Sequence, residues 1–488
     1  MKIAPFLLFC ATVFAPSFSS GQADFTLYGH PVSPAGADPA IQRAIATIDP
    51  ARIHQTIEKL VSFQTRNTLS SMEQDLPAGT GIEAAADWIF SQFDEISKKC
   101  GDCLEVKRDT FTADPAAAAG TPWANRIPKA TRITNVYAIL RGTDPAQAKR
   151  MVLVTGHYDS RASNVLDPRI TSPGANDDAS GVAVSLECAR ALSTMRFPSS
   201  IVFVAVAGEE QGLVGSAHLA KLAKDEGWDL EAVLNNDIVG GNTTPGDKLQ
   251  LKDRIRVFSE GVPSAATPEQ ARRMRAVGGE NDSPSRQVAR ALEEISGTYF
   301  PSSSPAPFDA WIINRPDRYL RGGDHSSFNQ EGFAAVRLTE WREDYNHQHQ
   351  TVVRPPAGSS DPAGSSEPVL GDLIEFVDFS YVAKVARLNA AALATLASSP
   401  GKPGKVAIDN SKLDNNTAFH WDPAPGKVDH YELVWRDTIA FDWQYAQSIP
   451  PPADSGPIHL TVPVSKDNVV FGVRSVDAAG HRSLAVVP

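Results

Sequence analysis

Apolar and polar positions alternate along the chain in patterns that predict strands and helices in turn. Continuous apolar runs in "MVLVTGHY", "SIVFVAVAGEE" and "EAVLNNDIVGG" predict buried strands. Between them, "SGVAVSLECARALSTM" and "GSAHLAKLAKDEG" have apolar residues at helical spacing, as does the earlier stretch "GIEAAADWIFSQFDEI". This alternation predicts an α/β fold with a mixed, mainly parallel sheet that carries helices on both faces.

The pattern changes after residue 404. A long apolar helix, "EFVDFSYVAKVARLNAAALATLASSPGKPGK", runs into a Pro and Gly linker, and short alternating runs such as "HYELVWRD" and "IHLTVPVS" follow it. Such runs, separated by turn residues, predict a small all-β sandwich. We expect a large domain over 24–398, a linker over 399–404 and the sandwich over 405–488.

The N-terminal segment predicts export. Residues 1–23 begin with a lysine, continue with a short apolar core and end in small and polar residues, as in a secretory signal peptide. We therefore expect a periplasmic or extracellular protein. No later segment is apolar enough to span a bilayer, so stable membrane insertion is not expected. The net charge of −11 comes without a basic stripe, which argues against nucleic acid as a partner.

Two cysteines lie close together in "KKCGDCLEV", at positions Cys100 and Cys103. In a reducing compartment, a C-x-x-C pair can serve redox or metal chemistry. In an exported protein it more often forms a local disulfide, which is the pairing expected here.

Polar residues that can bind a metal follow the predicted strands. In an open sheet of this kind, ligands bind beyond the carboxyl ends of the strands. A lone histidine there is more often structural, and a lone Glu-Glu pair is usually a solvated loop. Together, however, these carboxylates would repel one another and need a cation to offset their charge. The residues concerned are His157, Asp159, Asp177, Asp178, Glu209, Glu210 and Asp237.

The motifs in this region resemble one family as a set. Their order is H-x-D, G-A-N-D-D-A-S-G, A-G-E-E-x-G-L-x-G-S, N-N-D, D-H-S-S-F and then a late histidine. Over about residues 135–349 this resembles the co-catalytic di-zinc aminopeptidases, which include secreted bacterial leucine aminopeptidases and relatives of glutamate carboxypeptidase. The resemblance implies the zinc exopeptidase fold and two Zn²⁺ ions, although Co²⁺ or Mn²⁺ would also suit such ligands.

The resemblance also implies roles for individual residues. His157 and Asp237 would bind one zinc ion, and Glu210 with a late histidine would bind the other. Asp177 would bridge the two ions, and the Asp177–Asp178 peptide bond is expected to be cis. Asp159 falls where the family has the carboxylate that orients the histidine ring.

The late histidine has two candidates, His347 and His349. The family's ligand histidine usually has an acidic residue four positions later, where this chain has Thr351 instead. The register still favours His347, and His349 is the alternative, because either imidazole could supply the one nitrogen that the site needs. Asp324 and His325 match the family's D-H-x-x-F near the substrate pocket, although Asp324 could equally be a turn cap. Tyr345, like Tyr158 and Tyr319, could donate a hydrogen bond to the developing oxyanion.

The expected function is an exported metallo-exopeptidase that removes N-terminal residues from peptide substrates. Glu209 would be the general base acting on a water shared by two zinc ions. One alternative is a carboxypeptidase or dipeptidase of the same fold that acts on acidic substrates, which Arg318 and Arg321 would suit. The other is a non-catalytic binding protein whose C-terminal module does the work. That module resembles fibronectin type III domains, which bind or space and seldom catalyse.

Overall fold

The computed structural model describes residues 28–118, 124–356, 358, 367–453 and 456–488. The expected signal peptide, residues 1–23, lies outside the described residues. Within the described part of the chain, no helix is both long enough and apolar enough to cross a membrane.

An eight-stranded mixed sheet lies at the centre of the molecule. Strands β2 to β9 form it in the order β2-β3-β5-β4-β6-β9-β7-β8, and the short β1 joins a different sheet. The bounds are β1 (His30–Pro31), β2 (Leu104–Ala113), β3 (Thr131–Leu140), β4 (Arg150–His157), β5 (Ser200–Val206), β6 (Asp229–Asn236), β7 (Arg254–Ser259), β8 (Asp309–Ile313) and β9 (Ala335–Thr339).

The middle of this sheet is parallel. Strands β5, β4, β6 and β9 run in the same direction, whereas β3 is antiparallel to β5 and β7 is antiparallel to β9. Every residue of β4 is buried, with Val152 and Val154 in the core on one face and Met151 and Leu153 in the core on the other. The four parallel strands therefore end together, at what we call the carboxyl edge. The mixed, mainly parallel sheet expected from the sequence is confirmed.

Helices cover both faces of the sheet. Apolar residues of α1 to α4, α7 and α9 form the core on one face, and those of α5 and α8 contribute to the core on the other. Two-sided cover explains why the central strands are apolar at nearly every position. The bounds are α1 (Pro39–Ala46), α2 (Pro50–Val61), α3 (Gly81–Lys99), α4 (Ala179–Leu192), α5 (Val214–Asp225), α6 (Pro268–Ala276), α7 (Pro284–Tyr299), α8 (His325–Gln330) and α9 (Phe379–Ser398).

A short cross-link follows α3. Cys100 is the residue directly after this helix, and a disulfide joins it to Cys103, which directly precedes β2. The C-x-x-C segment thus ties the end of a helix to the start of an edge strand.

The C-terminal region forms a β-sandwich, as the alternating runs predict. One sheet has the order β10-β11-β14 and the other β1-β13-β12-β15, so the N-terminal strand β1 completes the second sheet. The core between them includes Trp421, Trp435 and Phe471. The bounds are β10 (Gly404–Asp409), β11 (Thr417–Asp422), β12 (His430–Asp437), β13 (Tyr445–Ile449), β14 (Ile458–Val462) and β15 (Val469–Val476).

Ion pairs join the sandwich to the large domain. Arg436 on β12 donates to both carboxylate oxygens of Asp282, at 2.6 and 2.8 Å. Arg474 on β15 donates to both oxygens of Glu294 on α7, at 2.9 Å each. Both guanidinium groups are almost fully buried, and so is Asp282, whereas Glu294 is partly exposed.

Candidate metal centre

Six side chains with metal-binding atoms converge at the carboxyl edge. They form two adjoining groups, within each of which one ligand atom per residue lies within 4.8 Å of the others. Strands β4, β5 and β6 each end at this edge and bring in one or two of the six, while the loop before α4 and the loop after β9 bring in the rest. The first group is His157, Glu209 and Asp237, and the second group is Asp177, Glu210 and His349.

Asp177 joins the two groups. Its Oδ1 atom lies 3.1 Å from Nε2 of His157, and its Oδ2 atom lies 2.7 Å from Nε2 of His349. One carboxylate thus presents an oxygen to each imidazole, which is the arrangement that a ligand shared by two cations requires. The Asp177–Asp178 peptide bond is cis, as expected from the motif.

The outer carboxylates lie on either side of Asp177. Glu210 places Oε1 at 3.1 Å from Nε2 of His349, and Asp237 places Oδ1 at 3.9 Å from Nε2 of His157. Imidazole nitrogens and carboxylate oxygens form the donor set that zinc takes in catalytic sites. The residues present therefore fit a pair of zinc ions.

Charge in the cluster is strongly unbalanced without a cation. Burial raises the pKa of the Glu209 carboxyl well above its usual value, and the nearby charges of Glu210 and Asp237 raise it further. Burial acts in the same direction on Asp177, but His349 and His157 more than offset it and hold the pKa of Asp177 well below its usual value. Burial makes the charged form of these carboxylates unfavourable, and bound divalent cations would offset this cost by neutralising their charge.

Asp159 lies behind His157 and the Glu-Glu turn. Its carbonyl oxygen is 3.1 Å and its Oδ1 is 3.4 Å from Nδ1 of His157, which leaves Nε2 facing the cluster. The same carboxylate accepts hydrogen bonds from the backbone N–H groups of Glu209 and Glu210 and from the Thr68 hydroxyl. This is the position expected of a residue that orients the ring.

His347 does not reach the cluster, so the preference for it over His349 is corrected. Its ring stacks on Phe376 with the ring centroids 3.5 Å apart, and Nδ1 lies 3.2 Å from Oδ1 of Asn242 and 3.2 Å from Oγ1 of Thr244. The aromatic contact and these polar neighbours hold the imidazole away from Asp177. The alternative candidate, His349, is the histidine that the structure brings to the second group.

Two residues that the motifs do not include hold the metal-binding loops in place. The buried guanidinium of Arg66 donates to the carbonyl oxygens of Tyr158 and Gly174, at 2.6 and 2.8 Å. Asp372 accepts from the backbone N–H groups of Asn176 and Asp177, at 2.8 and 2.7 Å, and burial raises its pKa to about 7. These contacts join distant segments, so no local sequence pattern signals them.

A cavity of about 490 Å³ opens onto the two groups. Tyr345 lies on its wall, as expected, with Glu209, Asp237 and His349. The pocket assignment of Asp324 and His325 is corrected, because both are buried and do not line the cavity.

The physical reason is that both side chains face the interior. The Nε2 atom of His325 lies 2.8 Å from the carbonyl oxygen of Pro316, and burial raises the pKa of Asp324 to about 7. Tyr158 is also unavailable to a substrate, because its hydroxyl is buried and donates to the carbonyl of Thr134 at 2.6 Å.

A mixed α/β sheet with two adjoining groups of carboxylate and imidazole side chains at its carboxyl edge is typical of a metal-dependent enzyme. Residues 135–354 match peptidase family M28. The chain belongs to this family, and it is a zinc metallopeptidase. The zinc peptidase class expected from the motifs is confirmed at this level.

Similar proteins span most of the chain. A probable zinc metalloprotease from Pyricularia oryzae is 42% identical over 468 residues, which are 94% of this chain and 86% of that protein. Another, from Leptosphaeria maculans, is 40% identical over 451 residues, which are 92% of this chain and 96% of that protein. The crystal structure of LapB from Legionella pneumophila is similar with a TM-score of 0.49 and 19% identity, covering 76% of this chain and 78% of that one.

Proposed function

We propose that this zinc metallopeptidase uses two zinc ions to remove N-terminal residues from peptides. The observation that carries the proposal is the position of Asp177, with one carboxylate oxygen directed at His157 and the other at His349. A buried aspartate between two imidazoles, flanked by further carboxylates, is the donor arrangement of a two-metal hydrolytic site.

Each residue of the cluster then has a role. His157 and Asp237 would hold one zinc ion, Glu210 and His349 would hold the other, and Asp177 would contribute to both. Bound zinc would supply Lewis acidity, which lowers the pKa of water and polarises the scissile carbonyl.

Glu209 is the proposed general base. It lines the cavity, and its backbone N–H donates to Asp159, so the carboxyl is held at the edge of the first group. A carboxylate in this position can accept a proton from water and pass it to the leaving amine. Its neighbour Glu210 faces His349, so the two adjacent glutamates have separate tasks.

The cavity supports an exopeptidase that acts at the amino end. Its volume suits a small part of a peptide. Arg318 and Arg321 on its wall both pair with Glu343, at 2.8 and 3.3 Å, and Arg318 also pairs with Asp317 at 3.1 Å, so each guanidinium already has an internal carboxylate partner. This pairing favours the aminopeptidase over an enzyme that captures a substrate carboxylate.

A carboxypeptidase or dipeptidase acting on acidic substrates is the second candidate. The observation in its favour is the number of guanidinium groups on the cavity wall, which attract anions even when partly paired. These belong to Arg126, Arg161, Arg318 and Arg321.

The proposal also includes export of the protein and the class of its C-terminal sandwich. The signal-like residues 1–23 and the disulfide between Cys100 and Cys103 support a periplasmic or extracellular location. The three- and four-stranded sheets of the sandwich support kinship with fibronectin type III modules, which space or bind.

Hydrolysis of a peptide panel tests the function. Each peptide is offered to the purified protein with a free or an acetylated amino terminus, and with a free or an amidated carboxyl terminus. Zinc per chain is measured by elemental analysis, and a metal chelator is added in parallel. We expect two zinc ions per chain, loss of turnover with chelator, and cleavage only of peptides with free amino termini.

The matched variant is Glu209→Gln, which keeps the size of the side chain and removes the base. It should retain two zinc ions and lose about 10²–10⁴-fold in kcat, the usual contribution of a general base. Cleavage that requires a free carboxyl terminus would favour the carboxypeptidase. A protein that binds two zinc ions and cleaves neither set would contradict the exopeptidase proposal.

A further inference from the structure

An arginine lies against the outer oxygen of each of the two non-bridging carboxylates proposed as zinc ligands. Nη1 of Arg337 is 2.6 Å from Oδ2 of Asp237, and Nε of Arg161 is 3.0 Å from Oε2 of Glu210. In both carboxylates the other oxygen faces an imidazole of the same group. The two halves of the site are therefore built alike: imidazole, carboxylate and then guanidinium.

We propose that Arg337 and Arg161 are positioning residues, one for each zinc ion, that restrict Asp237 and Glu210 to a single ligand oxygen. This inference rests on the proposed two-zinc function. A guanidinium that holds one carboxylate oxygen in a close ion pair competes with a metal ion for that oxygen. Each ion then keeps a coordination position for water or substrate, which a bidentate carboxylate would fill.

The guanidinium also acts through charge. Its positive charge fixes the carboxylate in one orientation, so the remaining oxygen already faces the site before a cation binds, and loss of the arginine weakens binding because the freed carboxylate must be ordered again. Partners that hold metal ligands from outside affect affinity and activity in this way.

The arginine of the first group is fixed by the fold. Arg337 lies on β9, its side chain is 0% exposed, and Nη1 also donates to the carbonyl of Gly322 at 3.1 Å. The neighbouring Gly323 allows this approach, because a Cβ atom at that position would lie 2.3 Å from Nη1 of Arg337. Any larger residue at 323 would have to displace the guanidinium from Asp237.

The arginine of the second group lies on the cavity wall. Arg161 is 16% exposed, and its Nη2 lies 2.7 Å from Nδ1 of His349, so it contacts both Glu210 and the imidazole. An imidazole that binds a metal through Nε2 carries its proton on Nδ1. The Nη2 contact with His349 therefore yields when zinc binds, whereas the Nε contact with Glu210 can persist.

Zinc affinity of purified full-length variants tests the proposal. Arg161→Gln removes the charge at a partly exposed site. Arg337→Lys keeps the charge but loses the planar guanidinium group that contacts Asp237. Each zinc equivalent is titrated by competition with a chromogenic chelator. We expect each variant to weaken one of the two equivalents by about 10–100-fold, the range found for lost partners of metal ligands. kcat should fall more than KM rises.

Double variants show which arginine acts on which zinc ion. His349→Ala should remove the second zinc ion, so adding Arg161→Gln to it should leave the remaining affinity unchanged, whereas adding Arg337→Lys should weaken it. Arg321→Gln removes another cavity-wall charge, one that pairs with Glu343 and not with a proposed ligand, and it should leave both zinc affinities at the wild-type values.

Gly323→Ala covers the case in which Arg337→Lys does not fold. The backbone at 323 is outside the left-handed region, so alanine is tolerated there conformationally, and its Cβ would push the guanidinium off Asp237. It should weaken the first zinc ion as Arg337→Lys does. The proposal is overturned if the wild-type protein binds two zinc ions and both Arg161→Gln and Gly323→Ala bind two zinc ions with wild-type affinity. Failure of the wild-type protein to bind two would instead overturn the proposed function.

Discussion

At the scale of single residues, backbone conformation and ring contacts determine which histidine faces the metal centre. His349 has a φ of 57°, in the left-handed region that histidine adopts more readily than most residues, where its side chain turns toward Asp177. His347 keeps its ring against Phe376. Two imidazoles only two positions apart therefore serve different purposes, one in the site and one in packing.

Substituting the two histidines separately should give opposite results. His349→Ala should bind one zinc ion instead of two, and its kcat should fall by more than about 100-fold. Loss of a residue that only contacts a metal ligand already costs up to about 100-fold, so loss of the ligand itself should cost more. His347→Ala should keep both ions and lower the free energy of unfolding by about 1–2 kcal/mol, through the lost stacking and hydrogen bonds. Elemental analysis and denaturant unfolding measure these effects, and the assignment fails if His347→Ala is the variant that loses zinc.

At the scale of elements, the sequence predicts most of the site because strand ends are visible in it. Continuous apolar runs locate β4, β5 and β6, and the residues after each run must meet at the carboxyl edge. That reasoning places His157, Glu210 and Asp237 together. It does not choose between His347 and His349, because they lie in a loop whose path depends on contacts with Phe376 and Asn242 rather than on local periodicity.

The loop before α4 depends on a residue that the motifs omit. Asp372 uses one carboxylate oxygen for the N–H of Asn176 and the other for the N–H of Asp177. Asparagine has only one acceptor oxygen, so Asp372→Asn would leave one buried N–H facing an amide donor. We expect it to lower the free energy of unfolding by about 1–3 kcal/mol and to reduce kcat, because Asp177 loses its support.

A matched control exists for this prediction. Asp378, the N-cap of α9, also accepts from two backbone N–H groups, those of Ser380 and Tyr381, but it uses a single oxygen for both. Asparagine can keep both bonds and is as good an N-cap as aspartate. Asp378→Asn loses only the partly exposed ion pair with Lys252, at 3.5 Å, so denaturant unfolding should give a free energy within about 1 kcal/mol of the wild-type value, and steady-state kinetics should be unchanged. Equal effects of the two substitutions would show that the use of both oxygens by Asp372 is not important.

At the scale of the whole molecule, the β-sandwich is joined to the large domain at several places. Strand β1, from the N-terminal part of the chain, pairs with β13 of the sandwich. The buried arginines Arg436 and Arg474 form ion pairs with Asp282 and Glu294 of the large domain. The sequence predicts the sandwich from its alternating runs, but not this attachment, because each contact joins residues far apart in the chain.

The junction also contains a carboxyl pair, Glu293 on α7 and Asp442 in the turn between β12 and β13. Burial, followed by the charge of Asp442 and a hydrogen bond to it, raises the pKa of Glu293 to about 8. The folded protein therefore holds a proton that the unfolded chain releases above its ordinary pKa of about 4.5. Since the folded state binds more protons between these values, stability falls as pH rises from about 4.5 to about 8.

Glu293→Gln should remove this fall, because glutamine can donate to Asp442 without titrating. We expect a gain of about 1 kcal/mol in the free energy of unfolding at pH 8, after allowing for solvent screening of the partly exposed carboxyl, and little change at pH 5. Denaturant unfolding at the two pH values measures both. Glu294→Gln, one position along, should instead destabilise the protein at pH 8, because it removes the partner of Arg474. A wild-type protein and a Glu293→Gln variant whose stabilities change in parallel with pH would contradict the role of this pair.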